Sequence, residues 1–251
     1  MEYIPHIRCT AAGLLVVGPS ERQAAHSVSP VDHPTTQVML LDPEGRLLAV
    51  DKYPKNLRKA QIYQYTPPPP AVRLDCFGGH IQFGQLSDRE QVGFLTYQTF
   101  LAGAVEELRE ECGIRQADGT AVPFPADPRR MEYLSFGRIQ DGNNTEYSAS
   151  FLYKSDLSAA YIGRDDVALP DGTREQIPLP LYRFTPAALL ELFEARDAQN
   201  NVCADGVPYH FCSGLAGALS DPEVVRVLTG AQPRSGPAAF PADVARLYAA
   251  G

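Results

Sequence analysis

Residues 106–111 read Glu-Glu-Leu-Arg-Glu-Glu, placing acidic side chains at 106, 107, 110 and 111. On a helix that turns about 100° per residue, Glu107, Glu110 and Glu111 share one arc roughly 100° wide. Glu106 lies about a quarter-turn from the centre of that arc, and Arg109 lies further round still. Three carboxylates on one face suit a hard divalent cation such as Mg2+, which takes oxygen ligands at about 2.0–2.1 Å and keeps waters or phosphates in its shell. Without a cation the arrangement is unfavourable. Glu107 and Glu111 repel at i,i+4, as do Glu106 and Glu110, by about 0.2–0.5 kcal/mol per pair. The helix dipole adds about 0.3–1 kcal/mol against each charge near the C-terminal end. A stretch that breaks two local rules together is a candidate functional site. The competing reading is a solvated charged face with Glu106 paired to Arg109.

The element that must carry these groups is legible. Leu101, Ala104, Val105, Leu108 and Cys112 recur at helical spacing and form one apolar stripe. Gly113 is expected to end the helix in the left-handed conformation, with Ile114 packing back after it. Upstream, a strand near Val72–Phe77 runs into Gly78-Gly79. Thr35–Tyr53 reads as a hairpin, two apolar runs around Asp42-Pro43-Glu44-Gly45. Thr10–Val17 is a further candidate strand, and the polar residues 18–34 read as a mobile loop. The prolines at 67–70 exclude helix or central strand there.

Downstream, Met131–Ile139 and Tyr147–Tyr153 form a second hairpin across Asp141-Gly142-Asn143-Asn144. Ile177–Phe184 is a strand interrupted by prolines at 178 and 180. From Thr185 the pattern turns helical. Thr185-Pro186 and Asp221-Pro222 are N-cap and first-turn pairs, the second helix stops at Gly230, and Phe240–Ala250 forms a third. Gly206–Ser220 fits none of these patterns. Strands, one internal helix, more strands and then helices predict an α+β fold, a layered α/β/α sandwich with a C-terminal helical extension. The expected division is an N-terminal strand and loop (1–34), a core (35–185) and a helical extension packed on the core (186–251).

The net charge of −8 and the dispersed Arg and Lys residues argue against nucleic acid as a partner. An anionic substrate would need a local cation, and a bound metal supplies one. No run approaches the eighteen or so apolar residues of a membrane span, and the N-terminus lacks the pattern of a secretory signal. The protein is expected to be cytoplasmic, with no membrane partner. The five scattered cysteines (9, 76, 112, 203, 212) fit neither a disulfide framework nor a zinc site.

Glu106-Glu107-Leu108-Arg109-Glu110-Glu111-Cys112-Gly113-Ile114 resembles the second half of the Nudix box, Arg-Glu-U-x-Glu-Glu-x-Gly-U with U aliphatic. Gly78-Gly79-His80-Ile81-Gln82-Phe83-Gly84-Gln85 resembles its first half, and the elements come in that family's order. Three positions depart from the pattern. Thirteen extra residues, placed as Leu86–Gln98, separate the halves, and Ser87-Asp88-Arg89-Glu90 within them resembles a capping box that would add a helical turn. The first Glu of the box is Gln85, and its Arg is Glu106. A Gln85–Glu106 hydrogen bond would replace the ion pair that braces the loop in the family.

The resemblance implies a Nudix-type fold and metal-dependent hydrolysis of a phosphoanhydride in a nucleoside diphosphate-X substrate. Mg2+ or Mn2+ would be held by Glu107, Glu110, Glu111 and the Gly79 carbonyl, with Glu107 and Glu110 the candidate catalytic bases. Gly78, His80 and Gln82 would contact the small-molecule diphosphate, although for His80 a structural role in holding the loop is the favoured reading. Glu146 or Glu175 could supply a further carboxylate, and Tyr63, Tyr65 and Arg73 are candidates to line a base or sugar pocket. The alternative is a Nudix-like nucleotide-binding or regulatory protein with weak or no turnover. A third option, isoprenoid diphosphate isomerisation, lacks a paired cysteine and glutamate motif. The extra helices offer a surface for a homodimer.

Overall fold

The computed structural model describes residues 2–27, 30–141 and 144–250. In chain order, β1 (Tyr3–Thr10) and β2 (Gly13–Glu21) form a hairpin, followed by α1 (Arg22–Ser27). The segment expected to be a loop from residue 18 is therefore strand and helix as far as 27. Next come β3 (His33–Leu41), β4 (Leu47–Asp51), α2 (Tyr53–Tyr63), β5 (Val72–Asp75) and β6 (Phe77–His80). A 3-10 turn at Phe83–Gln85 and α3 (Asp88–Gln91) lead to α4 (Tyr97–Glu111). The chain continues with β7 (Cys112–Arg115), β8 (Ala121–Pro123), β9 (Met131–Asp141), β10 (Asn144–Lys154), β11 (Ala160–Ala168), β12 (Arg174–Leu179) and β13 (Leu181–Phe184). It closes with α5 (Pro186–Glu194), β14 (Asn201–Ala204), β15 (Val207–Phe211), α6 (Ser213–Leu219), α7 (Pro222–Leu228) and α8 (Gly236–Ala250).

The central sheet runs β14-β15-β5-β4-β3-β10-β9, with β6 also paired to β3 and β13 to β4. It is mixed. β10 lies parallel to β3 and β15 parallel to β5, whereas the other pairs are antiparallel. A second sheet, β12-β11-β7-β8, continues directly from the end of α4. The protein is thus α+β with a mixed sheet, as the sequence predicts. Gly142 and Asn143 of the second hairpin's turn lie outside the described residues.

Alternation along β3 sets the two layers, because successive side chains of a strand point to opposite faces. Val38 and Leu40 face one core with Phe77, Phe100, Ala104, Leu108 and Phe151. Phe240 and Val244 of α8 complete it. Met39 faces the other core, with Leu74, Leu152, Phe211, Leu215 and Val224. The apolar stripe of α4 is buried as its spacing requires, and Gly103 lets it approach β3: an added Cβ would lie 3.3 Å from both Thr36 Cγ2 and Ile81 Cγ1.

Two expectations fail in instructive ways. Gly113 is not a left-handed terminator, because Cys112 is already extended (φ −113, ψ 138) and the chain enters β7 without a turn. The last helical carbonyls, which a glycine cap would otherwise serve, accept instead from the Arg164 guanidinium. The tail after 185 is not wholly helical. Val207–Phe211 joins the central sheet beside β5, and the unassigned stretch 206–220 resolves into β15 and α6.

Candidate active site

The C-terminal half of α4 faces β6, and that contact builds the site. A Cβ added to Gly79 would lie 2.6 and 2.7 Å from the two Glu107 carboxylate oxygens. Only glycine there lets Glu107 rest on the strand backbone. Gly78 donates its N–H to Glu111 Oε2 at 2.9 Å. Gly79 is thus required by the Glu107 carboxylate, and Gly78 by the backbone of β3, where an added Cβ would lie 2.3 Å from the Thr36 carbonyl oxygen.

Glu111 is 5% exposed, and its other oxygen accepts from Lys52 Nζ. Lys52 also donates to Asp165 Oδ2 at 2.8 Å, and Lys55 pairs with the same oxygen. Burial alone would lower the Lys52 pKa, but Glu111, Asp165 and Asp75 outweigh it and hold the ammonium well above its ordinary value. Burial likewise opposes ionisation of Asp165, and Lys52 and Lys55 overcome it, keeping that carboxyl well below the usual range. Burial dominates at Glu111, whose pKa is pushed well up.

Glu107 differs. Burial, reinforced by the Glu110 charge, pushes its carboxyl up to about 7. Glu110 is exposed at the rim, and partial burial and Glu106 raise it as well. A cation would relieve both. Glu107, Glu110 and the adjoining Gly79 backbone are hard oxygen donors, and the tight seat of the Glu107 carboxylate on Gly79 fits a divalent ion of the Mg2+ or Mn2+ type. Each Glu111 oxygen already accepts one hydrogen bond, from Lys52 or from Gly78, and keeps a second lone pair.

Cations gather opposite. Lys52, Lys55 and Lys59 stand at i, i+3 and i+7 along α2 and therefore share a face. Burial, then Lys55 and Arg22, depress the Lys59 pKa to about 8. Arg22 is itself held by Glu2, donating from one nitrogen to both carboxylate oxygens at 2.9 Å. The lysine spacing is visible in the sequence, whereas Asp165, from a distant strand, has no local signal. On the solvent side of α4, a cavity of about 810 Å³ is lined by Glu106, Glu110, Arg109, Arg164, Arg174 and Asp166, among others. Arg164 closes the helix by donating to the Glu110 and Arg109 carbonyls at 2.8 and 2.9 Å.

The loop brace takes the expected form. Gln85 Nε2 donates to Glu106 Oε2 at 2.6 Å, and Gln85 Oε1 accepts from Gln82 N–H at 2.8 Å. Gln82 thus serves the loop through its backbone. Arg109 bonds the Ala126 carbonyl and not Glu106. Ser87 and Glu90 form the anticipated capping box, and Glu90 also accepts from Thr96 and Thr99, tying the insert to the start of α4.

Other candidates lie elsewhere. His80 follows Gly79 on β6 and so points to the opposite face of the sheet, stacked on His33 with ring centroids 5.0 Å apart. It is not in the carboxylate cleft. Glu146 stands opposite His33 on that same far face. Glu175 is paired with Arg58. Tyr63 donates to the Ala168 carbonyl, Tyr65 is exposed, and the Arg73 backbone N–H is taken by Asp51. All five cysteines are free thiols, and no helix among the described residues is long and apolar enough to cross a membrane.

No protein-family profile matches the sequence, and no curated protein matches it. Among solved structures, the chain is similar to a NUDIX hydrolase from Nitrosomonas europaea, at 14% identity and a TM-score of 0.30 over 60% of this chain and 70% of that one. It is also similar to a NUDIX hydrolase from Alicyclobacillus acidocaldarius, at 10% identity and a TM-score of 0.37 over 78% and 89%. Superpositions this loose transfer neither a residue role nor a reaction.

Proposed function

We propose that this chain is a Nudix-type, metal-dependent hydrolase that cleaves a phosphoanhydride bond in a nucleoside diphosphate-X substrate. The observation that carries the reading is the Glu107 carboxyl, seated on Gly79 and raised to about 7 beside Glu110, facing a lysine cluster in which Lys59 is depressed to about 8. The acidic group short of positive charge and the basic group short of negative charge lie near one another, since Lys52, Asp165 and Arg22 act on both Glu107 and Lys59. A metal-diphosphate complex supplies both.

Glu107, Glu110 and the Gly79 carbonyl would hold Mg2+ or Mn2+, with Glu111 braced by Gly78 and Lys52. When bound, such an ion neutralises diphosphate oxygens and lowers the pKa of an attacking water. Lys55, Lys59 and Arg22 would grip the terminal phosphoryl oxygens. Glu107 and Glu110 are the carboxylates placed to receive the proton of the attacking water. Glu110, at the rim, would orient the ion toward substrate.

The test is release of phosphate or nucleotide from nucleoside diphosphate derivatives, dinucleoside polyphosphates and nucleoside triphosphates, with Mg2+, Mn2+ or chelator. Turnover should require metal, and Glu107→Gln and Glu110→Gln should each lower kcat by about 100-fold or more, the scale of losing a positioned general base. Turnover that persists in chelator, or in both variants, would overturn the assignment.

A second reading is favoured by one observation. Lys52 already supplies the positive charge beside Glu111, as a nucleotide-binding protein with little turnover would need. Tight binding of a compound from the same panel without hydrolysis would select it.

A further inference from the structure

The far face of β3 carries polar groups that the hydrolase reading does not use. His33 is fully buried, and its Nδ1 lies 2.7 Å from the Val31 carbonyl. A carbonyl oxygen only accepts, so Nδ1 carries a proton. His33 Nε2 lies 3.8 Å from Glu146 Oε1, with the His80 ring stacked alongside. One ligand atom from each of His33, His80 and Glu146 lies within 4.8 Å of the others.

Three further groups point to an occupant. Thr35, Gln37 and Ser148 continue the same face, Thr35 lying across from both His80 and Ser148 in the strand register. These residues are 3%, 5% and 2% exposed. Thr35 Oγ1, Gln37 Oε1 and Ser148 Oγ have no hydrogen-bond partner among the described residues. Buried polar oxygens without partners are costly, and several together beside two imidazoles call for a hydrated ion.

The geometry points to a divalent transition-metal site formed by His33 Nε2, His80 and Glu146, separate from the carboxylate cleft on the other face of β6. Two imidazoles and one carboxylate form a borderline-soft set that suits Zn2+, Mn2+, Fe2+ or Co2+ over Mg2+. A tetrahedral ion with bonds of about 2.0–2.2 Å holds its ligands roughly 3.3–3.6 Å apart, so the observed spacing closes by small side-chain rotations. The Val31 carbonyl plays the part of an outer partner that fixes the ligating histidine's tautomer. Thr35 and Ser148 would hydrogen-bond metal-bound water. Because Gly79 and His80 are adjacent on β6, an ion here stiffens the strand on which Glu107 rests. The inference does not depend on the hydrolase reading.

The experiment is titration of chelator-treated protein with Zn2+ by calorimetry, and with Co2+ by visible absorption. A Glu107→Gln, Glu110→Gln background removes the cleft carboxylates. That protein should bind one equivalent of Zn2+, and Co2+ should give the spectrum of imidazole-ligated cobalt. Adding His80→Ala, or the near-isosteric Glu146→Gln, should weaken Zn2+ by at least about 100-fold, more than the loss of an outer partner costs. Circular dichroism of the metal-free variants checks that they fold, and Glu146→Gln serves if His80→Ala does not. Absence of Zn2+ binding in the background protein, or binding unchanged by Glu146→Gln, would overturn the site.

Discussion

Lys52 is the residue on which the charge balance of the cleft turns. It is 8% exposed and donates to both Glu111 and Asp165. Removing one member of a buried ion cluster costs about 3–5 kcal/mol, because the remaining charges lose their compensation. Lys52→Met should therefore lower the melting temperature sharply in chelator. Mg2+ or Mn2+ should restore more of the loss in the variant than it adds to the parent, since the vacated place lies beside Glu111. Equal metal effects on the two proteins would count against Lys52 as the cation of that position. Lys59 makes a second prediction. With a pKa near 8 in the free protein, it is partly deprotonated above that pH. Pyrophosphate would favour the ammonium and raise the pKa, so binding should take up protons between about pH 8 and 10. Calorimetry in buffers of different ionisation enthalpy reads this uptake, and Lys59→Met should abolish it. Folding carries the opposite sign, because it releases a proton from this lysine. The unfolded chain, with its lysine near about 10.4, binds more protons in that window. This residue's contribution to stability therefore becomes more favourable as pH rises through it.

At the scale of elements, the acidic helix works because its neighbours hold it at both ends. Glu90 joins Ser87 to Thr96 and Thr99 at the N-terminal side, and Arg164 closes the last carbonyls. The Gln85–Glu106 hydrogen bond pins the 3-10 turn to the middle of the same helix. Gln85→Ala should loosen the glycine loop by about 0.5–1.5 kcal/mol, the net worth of one such bond. Hydrogen exchange across residues 78–86 should rise, while exchange in β9 and β10 stays unchanged. An unaltered exchange pattern would show that the loop is held by the Glu107–Gly79 seat alone. The insert keeps the two halves of the box together in space by carrying its own capped turn, so the extra length costs little order.

At the scale of the molecule, the tail is part of the fold's centre. β15 extends the main sheet, and α6 lies close over β3 and β5. A Cβ at Gly214 would come within 2.9 Å of Asp75 Oδ1 and 3.2 Å of Gln37 Nε2. Asp75 in turn accepts from the Leu215 N–H at 3.1 Å. Gly214→Ala should cost about 1–3 kcal/mol through overpacking, read as a lower melting temperature; an unchanged value would mean that α6 shifts freely. The sequence by itself determined the acidic helix and its apolar stripe, the glycine pair, both hairpins, the capped insert and the Gln85–Glu106 contact. These rest on periodicity, turn chemistry and short-range complementarity, which local spacing records. Only the tertiary structure decided that Glu111 belongs to Lys52 and Asp165, that His80 faces away from the cleft beside His33 and Glu146, and that Val207–Phe211 enters the central sheet. Each of those pairings joins residues dozens to more than a hundred positions apart through strand register and the face a side chain takes, and a linear pattern carries neither.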